Sequence, residues 1–574
     1  MSTGRLAARV WRLWRSPLRR STAAFLQQQE QEYQQNVAWR RLALAAAGAT
    51  TLSLVYIGQR RRKVAHAATP AQAEKQWAIY RQSEVAEHKS EEQGIWVTYK
   101  GAVYDITHFI EAHPGGVEKI SLAAGGALEP FWRIYSQHEA ASVQDILADL
   151  RIGSLHPDDV AAQALKKPPP GDAYEHDPQR HPALLVRSQR PFNAETPAAL
   201  LMDHYRTPND LFYVRNHLPV PKIEEGSFRL RIEGKGLRRP LVLSVAELRR
   251  RFPRHSVTAA VQCAGNRRRG LAAVREVKGL SWESTAIGNA EWSGVRLKDV
   301  LDYAGVKAES AEHLWCRGAD KDPLQATPLA SSREDILDQL GLQGNHYETS
   351  IPLRKALAPE TLLAFEMNGE PLPLDHGAPL RLIVPGVVGA RQVKWLEALT
   401  VSDQESSSHW QARWKKRMGK VQAKDYRMMG PSKGPEADPS SSPAIQEAPV
   451  QSAILLPQPG ASVLAESGEV EVAGYAWSGG GKAIIRVELT LDGGQSWQEA
   501  ELQPPQQQRD SAWAWTLWTA TLPLPKGAKA GSSLEIWAKA TDAAYNTQPD
   551  SPAGIWNARG LLNNAWHRVP VKII

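Results

Sequence analysis

Gln262-Cys263-Ala264-Gly265-Asn266-Arg267-Arg268 lies near the middle of the 574-residue chain and holds one of its two cysteines. A thiolate is a soft ligand for a transition metal, and a glycine followed by arginines lets backbone and positive charge approach an adjacent anionic group. A lone cysteine in a reducing compartment is more often a buried, inert side chain, so the run alone leaves both readings open.

Outward from it, the next informative stretch is His113-Pro114-Gly115-Gly116. Pro114 forces the chain to turn after His113, and the two glycines leave room for a flat ring to approach the backbone. His138 follows 25 residues later, in Tyr135-Ser136-Gln137-His138. Gly94 to Tyr99 and Ala102 to Ile106 read as short strands around a turn at Lys100-Gly101, with helical segments after them. The run Tyr104-Asp105-Ile106-Thr107-His108-Phe109 before His113, with the spacing to His138, resembles cytochrome b5 over residues 76–156. The resemblance implies a b-type haem with His113 and His138 on its two faces. Such an iron has no open position and carries electrons. From Gln82 to Gly153 eleven acidic residues face five basic ones, a surplus that steers basic electron-transfer partners.

Two cysteines cannot build a disulfide framework, and Cys316 has no neighbour at metal-ligand spacing, which argues against zinc and iron–sulfur sites. The length implies three or four domains. The net charge of +8 does not indicate nucleic acid, because residues 1–63 hold twelve Lys or Arg against Glu30 and Glu32. The rest of the chain is slightly acidic. Arg5, Arg9, Arg12, Arg15, Arg19 and Arg20 among Leu, Trp, Ala and Ser, with no acid before Glu30, have the composition of a mitochondrial transit peptide. The uncharged stretch Leu42 to Gly58, bracketed by basic residues, is near the lower limit for crossing a bilayer. Residues 1–75 thus read as an address for the mitochondrial intermembrane space, with 42–58 either a sorting signal or a retained anchor. Contact with the inner membrane is expected only there.

Residues 157–177 include Lys166-Lys167-Pro168-Pro169-Pro170-Gly171, whose prolines favour an extended tether. Beyond it, residues 178–407 contain Tyr213-Val214-Arg215-Asn216-His217, the Cys263 run, Asp320, Tyr347, Asp375-His376-Gly377-Ala378-Pro379-Leu380-Arg381 and Gly386 to Trp395. There is no Gly-rich phosphate loop after a strand and no paired cysteine motif. From His181 onward these runs resemble the molybdenum domain of the sulfite oxidase family, and with the haem module and tether they follow the animal-type domain order.

The resemblance implies that Cys263 is the single protein ligand to molybdenum, beside a pyranopterin dithiolene (Mo-molybdopterin). Tyr213, Val214, Arg215, Asn216, His217, Asp320, His376, Arg381, Gln392, Val393 and Lys394 would hold the pterin and its phosphate. Arg215, Arg268 and Arg559 would form an anion pocket shaped by Tyr347 and Trp282. Such groups suit their tasks: guanidinium and ammonium groups satisfy a phosphate or a small oxyanion, and carboxylate and imidazole groups hydrogen-bond pterin edges. There are departures from the family's pattern. The stretch from Asp320 to Tyr347 is longer, with Ser331 to Leu337 resembling an inserted helix start. Glu348 follows Tyr347 where a glycine is expected, and Gln392 replaces a histidine of some relatives.

Residues 408–574 have an all-β rhythm. Glu469 to Trp477, Ile484 to Leu491 and Leu534 to Ala540 nearly alternate and are separated by turn clusters such as Asp492-Gly493-Gly494. An immunoglobulin-like sandwich is expected. Ten of the twenty tryptophans lie between Trp410 and Trp566, an excess that suits a homodimer interface, as the family resemblance also implies. The expected fold class is multidomain α+β: a small haem module, a mixed molybdopterin domain and a C-terminal sandwich. The expected reaction is oxidation of sulfite to sulfate, with electrons passed singly through haem to cytochrome c. The alternative is a haem and molybdopterin oxidoreductase of nitrate-reductase type, disfavoured by the domain order.

Overall fold

The computed structural model describes residues 77–163 (except 136, 137 and 139), 172–321, 346–411 (except 409), two short strands at 416–417 and 420–421, and 442–574 (except 506). The basic N-terminal segment, the stretch 42–58, the Lys166 to Gly171 run and the Ser331 to Leu337 insertion lie outside these residues. The chain divides into two compact units that meet at residues 162 and 163.

In the first unit a five-stranded sheet has the order Ala78–Tyr80, Arg151–Leu155, Ala102–Asp105, Gly94–Tyr99, Lys89–Ser90. Lys100 and Gly101 both take positive φ, 47° and 75°. That is the left-handed pair a tight two-residue hairpin needs. Val85, Val103 and Leu155 form the inner cluster beneath the sheet. A 3-10 turn Ile110–Ala112 and helices Val117–Ser121, Glu129–Ile134 and Ala141–Asp149 complete the module. Helix Pro157–Gln163 occupies the start of the segment read as a tether.

The second unit combines an α+β part with a β-sandwich. One sheet runs Leu241–Leu243, Leu230–Gly234, Leu396–Ser402, His313–Lys321, His346–Pro352, and a second joins Arg254–Gln262, Ile287–Arg296, Leu362–Met367 and Glu370–Pro371. Between them a core of Leu, Ile and Val side chains, including Leu230, Leu297, Leu314 and Leu399, is closed to solvent. Cys316 is fully buried in this cluster, and burial pushes its thiol well above the ordinary value. It is a packing residue.

The sandwich pairs a sheet of Gln451–Leu456, Glu469–Trp477, Thr516–Pro523 and Glu501–Leu502 with one of Ser462–Val463, His567–Ile573, Ser533–Asp542, Ile484–Thr490 and Gln498–Glu499. The alternation of Glu469 to Trp477 matches its burial: Val470 and Val472 point into the sandwich core. Toward its C-terminal end the strand is buried on its other face as well. Tyr475, Trp477 and Trp515 instead enter a cluster with Ala260, Ala264 and Ile287 of the α+β part. Much of the tryptophan excess thus joins domains within one chain. Trp477, Trp515 and Trp518 are fully buried, while Trp497, Trp537 and Trp566 form a half-buried ring cluster with Lys539 and Arg568 on their faces.

Candidate active site

The connections at the strand ends of the α+β part converge on one cavity of about 650 Å³, its open mouth included. Its wall includes Phe212, Tyr213, Arg215, His217, Cys263, Asp320, Tyr347, Asp375, His376, Arg381, Gln392, Val393, Lys394 and Trp395. They come from segments far apart in the chain. Cys263 directly follows strand Arg254–Gln262, and Asp320 is near the end of His313–Lys321. Tyr347 opens His346–Pro352, and His376 closes the 3-10 turn Leu374–His376. Gln392, Val393 and Lys394 link a 3-10 turn, Gly389–Arg391, to strand Leu396–Ser402.

Burial dominates the titration of Asp320, His376 and Lys394. It pushes the Asp320 carboxyl up and the Lys394 ammonium down, each partly offset by the other's charge. It brings His376 down to about 3, so this imidazole is neutral. His376 Nε2 lies 3.1 Å from the Asn209 carbonyl, which can only accept; the proton is therefore on Nε2, leaving Nδ1 as an acceptor. Arg381 donates to the carbonyls of His376 at 3.0 Å and Gln392 at 3.3 Å.

Lys394 Nζ donates to the Asp375 carbonyl at 2.8 Å and to Asn216 Oδ1. Asn216 Nδ2 in turn donates to Asp375 Oδ1 at 2.9 Å. Burial alone would raise the Asp375 carboxyl. The two-pronged bond from Arg180, 2.7 and 3.0 Å, overrides it and holds the group below the ordinary carboxylate range. Asp375 and Arg180 were not among the expected site residues. Asp375 adjoins His376 in the quoted run, but Arg180 lies 195 residues away and carries no local signal.

Not every expected residue reaches the wall. Val214 and Asn216 are buried behind it. Trp282 is fully buried in the apolar cluster that also contains Tyr213 and Cys263. Its ring is core and supports the loop from within. Gln392 lines the cavity, yet its side chain is held by backbone: Oε1 accepts from Val384 N–H at 3.2 Å and Nε2 donates to the Val387 carbonyl at 2.8 Å. Arg268 and Arg559 also stand outside the lining. Arg268 Nε donates to the Arg559 and Gly560 carbonyls at 3.0 and 3.2 Å, and Nη1 to the Leu280 carbonyl at 2.7 Å. A Cβ on Gly265, Gly279 or Gly560 would fall 2.4 to 2.7 Å from this side chain, so those glycines make its slot. Tyr347 does line the cavity. Its hydroxyl donates to the Ala390 carbonyl at 2.8 Å and its ring stacks on His217, centroids 4.6 Å apart.

The wall fits a pterin cofactor on its own terms. Asp320 Oδ1 and Arg381 Nε are buried without a hydrogen-bond partner among the described residues. Orphan polar atoms at a cavity wall are costly unless a ligand satisfies them.

In the first unit the His113 and His138 rings lie parallel within 2°, centroids 6.1 Å apart. Two imidazoles binding opposite faces of one ion at about 2 Å per metal–nitrogen bond would place their centroids at roughly that separation. Each Nδ1 is held by a backbone carbonyl, Gly116 at 3.4 Å and Tyr135 at 2.9 Å, which directs Nε2 to the metal. Burial lowers both histidines, favouring the neutral form that ligates. A Cβ on Gly115 would meet the His113 ring at 2.8 Å.

Comparison with known proteins agrees with this geometry. Residues 81–156 match the cytochrome b5-like heme/steroid binding domain, 217–410 the oxidoreductase molybdopterin binding domain, and 442–574 the Mo-co oxidoreductase dimerisation domain. The chain is 48% identical over 499 residues to the mitochondrial sulfite oxidase of Homo sapiens, covering 86% of this chain and 84% of that protein. The chain belongs to the sulfite oxidase family. The Gallus gallus sulfite oxidase is likewise 48% identical, covering 85% of this chain and 99% of that one. Among solved structures, the sulfane dehydrogenase SoxCD of Paracoccus pantotrophus aligns with a TM-score of 0.51 at 26% identity, over 73% of this chain and 97% of that one. As expected of a sulfite oxidase family member, molybdopterin and haem domains occur on one chain with a sheet-rich C-terminal domain.

Proposed function

We propose that the cavity around Cys263 is where this chain oxidises sulfite to sulfate, with electrons leaving singly through haem held by His113 and His138. The observation that carries the reading is the convergence of Cys263, Asp320, Tyr347, His376, Arg381 and Lys394 from separate segments onto one wall. Cys263 is the protein thiolate for molybdenum. Asp320, His376 and Arg381 would hold the pterin through its polar edges, and Lys394 with Arg381 would hold its phosphate. When bound, the cofactor supplies two-electron oxygen-transfer chemistry.

The chain's residues do the rest. Arg215 lines the cavity, where its positive charge attracts a small dianion. Arg215 is fixed by bonds to Asn193 Oδ1 at 3.0 Å and the Asn216 carbonyl at 2.5 Å, which keeps its guanidinium placed before the anion arrives. The Tyr347 hydroxyl is held at the cavity wall by its bond to the Ala390 carbonyl. Asp375, anchored by Arg180 and Asn216, sets the position of the turn that carries His376.

The enzyme is mitochondrial and a homodimer through its C-terminal domain. Within that frame we place it in the intermembrane space, with cytochrome c as acceptor and membrane contact limited to residues 42–58. The proposed domains are 76–156 for haem, 157–177 as hinge, 178–407 for molybdopterin and 408–574 for pairing. The test is sulfite-dependent reduction of cytochrome c by the full chain, with sulfate measured as product. Sulfate release coupled to cytochrome reduction supports the reading, and its absence from cofactor-loaded protein overturns it.

A further inference from the structure

The loop bearing Cys263 is held both by its own domain and by the sandwich. Cys263 N–H donates to the Ala286 carbonyl at 3.0 Å, and its carbonyl accepts from Asn266 N–H at 2.9 Å. Asn266 Oδ1 accepts from Ala286 N–H at 3.0 Å, so the same two residues bracket the cysteine by backbone and side chain. Asn266 Nδ2 donates across the domain boundary to Tyr475 Oη at 2.8 Å, and Tyr475 Oη donates to the Ser284 carbonyl at 2.9 Å. Tyr475 is fully buried, and its ring stacks on Trp515, centroids 5.8 Å apart.

These bonds fix one another. Because the Ser284 carbonyl can only accept, the Tyr475 proton lies there and its lone pairs face Asn266. The Asn266 amide then has one orientation, nitrogen to Tyr475 and oxygen to Ala286, and a flip would break both bonds. Beside this ring, Gln262 is gripped by Gln451 and Trp477, each from the sandwich, at 2.8 and 2.7 Å.

We infer that Tyr475 is a positioning residue for Cys263: the sandwich, through Tyr475 and Asn266, sets where the metal-binding thiol sits. This rests on the reading of Cys263 as the molybdenum ligand. It gives the C-terminal domain a part in the catalytic centre separate from pairing subunits.

The test uses the full chain prepared without molybdenum cofactor and iodoacetamide as probe, with alkylation of Cys263 and Cys316 followed by peptide mass. Tyr475→Phe keeps the ring and removes the hydroxyl. With that buried hydrogen bond left unmade, Cys263 alkylation should rise about tenfold while buried Cys316 stays unreactive. Asn266→Ser, which acts from the other side, should do the same and serves alone if Tyr475→Phe does not accumulate. The double variant should add little to either single one, because both remove one linkage. In cofactor-loaded protein kcat should fall with the sulfite KM unchanged. Val569→Ala, in the sandwich core away from this contact, is the control for general loosening. Wild-type alkylation in Tyr475→Phe, or equal acceleration by Val569→Ala at the same loss of thermal stability, overturns the inference. Full turnover by Cys263→Ser would instead remove the ligand assignment and leave the alkylation result standing.

Discussion

Arg268 Nε donates to the carbonyl of Arg559 at 3.0 Å, joining the loop after Cys263 to the C-terminal sandwich. Gly560 lies against the shaft of Arg268 and Gly265 and Gly279 against its guanidinium, where a Cβ would collide. Its guanidinium organises backbone and fixes where the Arg559 residue begins.

Arg268→Lys should therefore act through Arg559. A lysine cannot supply the forked donors that reach Arg559, Gly560 and Leu280. The family resemblance implies that the Arg559 guanidinium meets a bound anion, although neither side chain lines the cavity here; on that reading both Arg268→Lys and Arg559→Gln raise the sulfite KM about ten- to a hundredfold, the loss of one charge-assisted bond. The double variant should be little worse than either one. Steady-state sulfite kinetics at equal cofactor content check this, and additive losses would show that the two act independently.

Arg180→Gln leaves Asp375 as a buried carboxylate without its bidentate partner. Breaking a buried pair in this way costs about 3–5 kcal/mol. Asp375 titrates below its ordinary value in the folded protein, so the pair stabilises the fold above the ordinary carboxylate pKa and that contribution is lost as pH falls through the folded value. The urea midpoint of Arg180→Gln should fall strongly at pH 7 and approach that of the parent in acid.

Burial brings His376 down to about 3, so between the ordinary imidazole value and that point the unfolded chain takes up a proton that the folded chain refuses. Stability is present above about pH 6.5 and is lost as pH falls toward 3. Thermal unfolding of His376→Gln, followed from pH 7 to pH 4, should depend less on pH than that of the parent.

His138→Ala should open one face of the haem. The expected signature in the full chain is loss of the low-spin, six-coordinate spectrum and recovery of it with added imidazole. Sulfite-dependent cytochrome c reduction should fall at least tenfold.

His113, His138 and Cys263 were legible in sequence as candidates, because each stands in a short run that resembles a known family's. The strand Glu469–Trp477 was legible too, since alternation records which face is buried. What sequence could not reveal is the direction of a long side chain. Arg268 and Trp282 follow Cys263 closely, yet one turns to backbone carbonyls and the other into the core. Asp375 and Arg180 meet only through the fold, and neither Gln392's internal bonds nor the link from Tyr475 to Asn266 leaves a pattern at any fixed spacing. Alternation did place Tyr475 and Trp477 on one strand face, but not against the Cys263 loop.

The central claim is that the chemistry depends on the thiol of Cys263. Sulfate production from sulfite by cofactor-loaded Cys263→Ser, measured beside Cys316→Ser, tests it most directly. The account predicts an intact haem spectrum in both proteins, turnover lost in Cys263→Ser and retained in Cys316→Ser. Parental turnover by Cys263→Ser would contradict it.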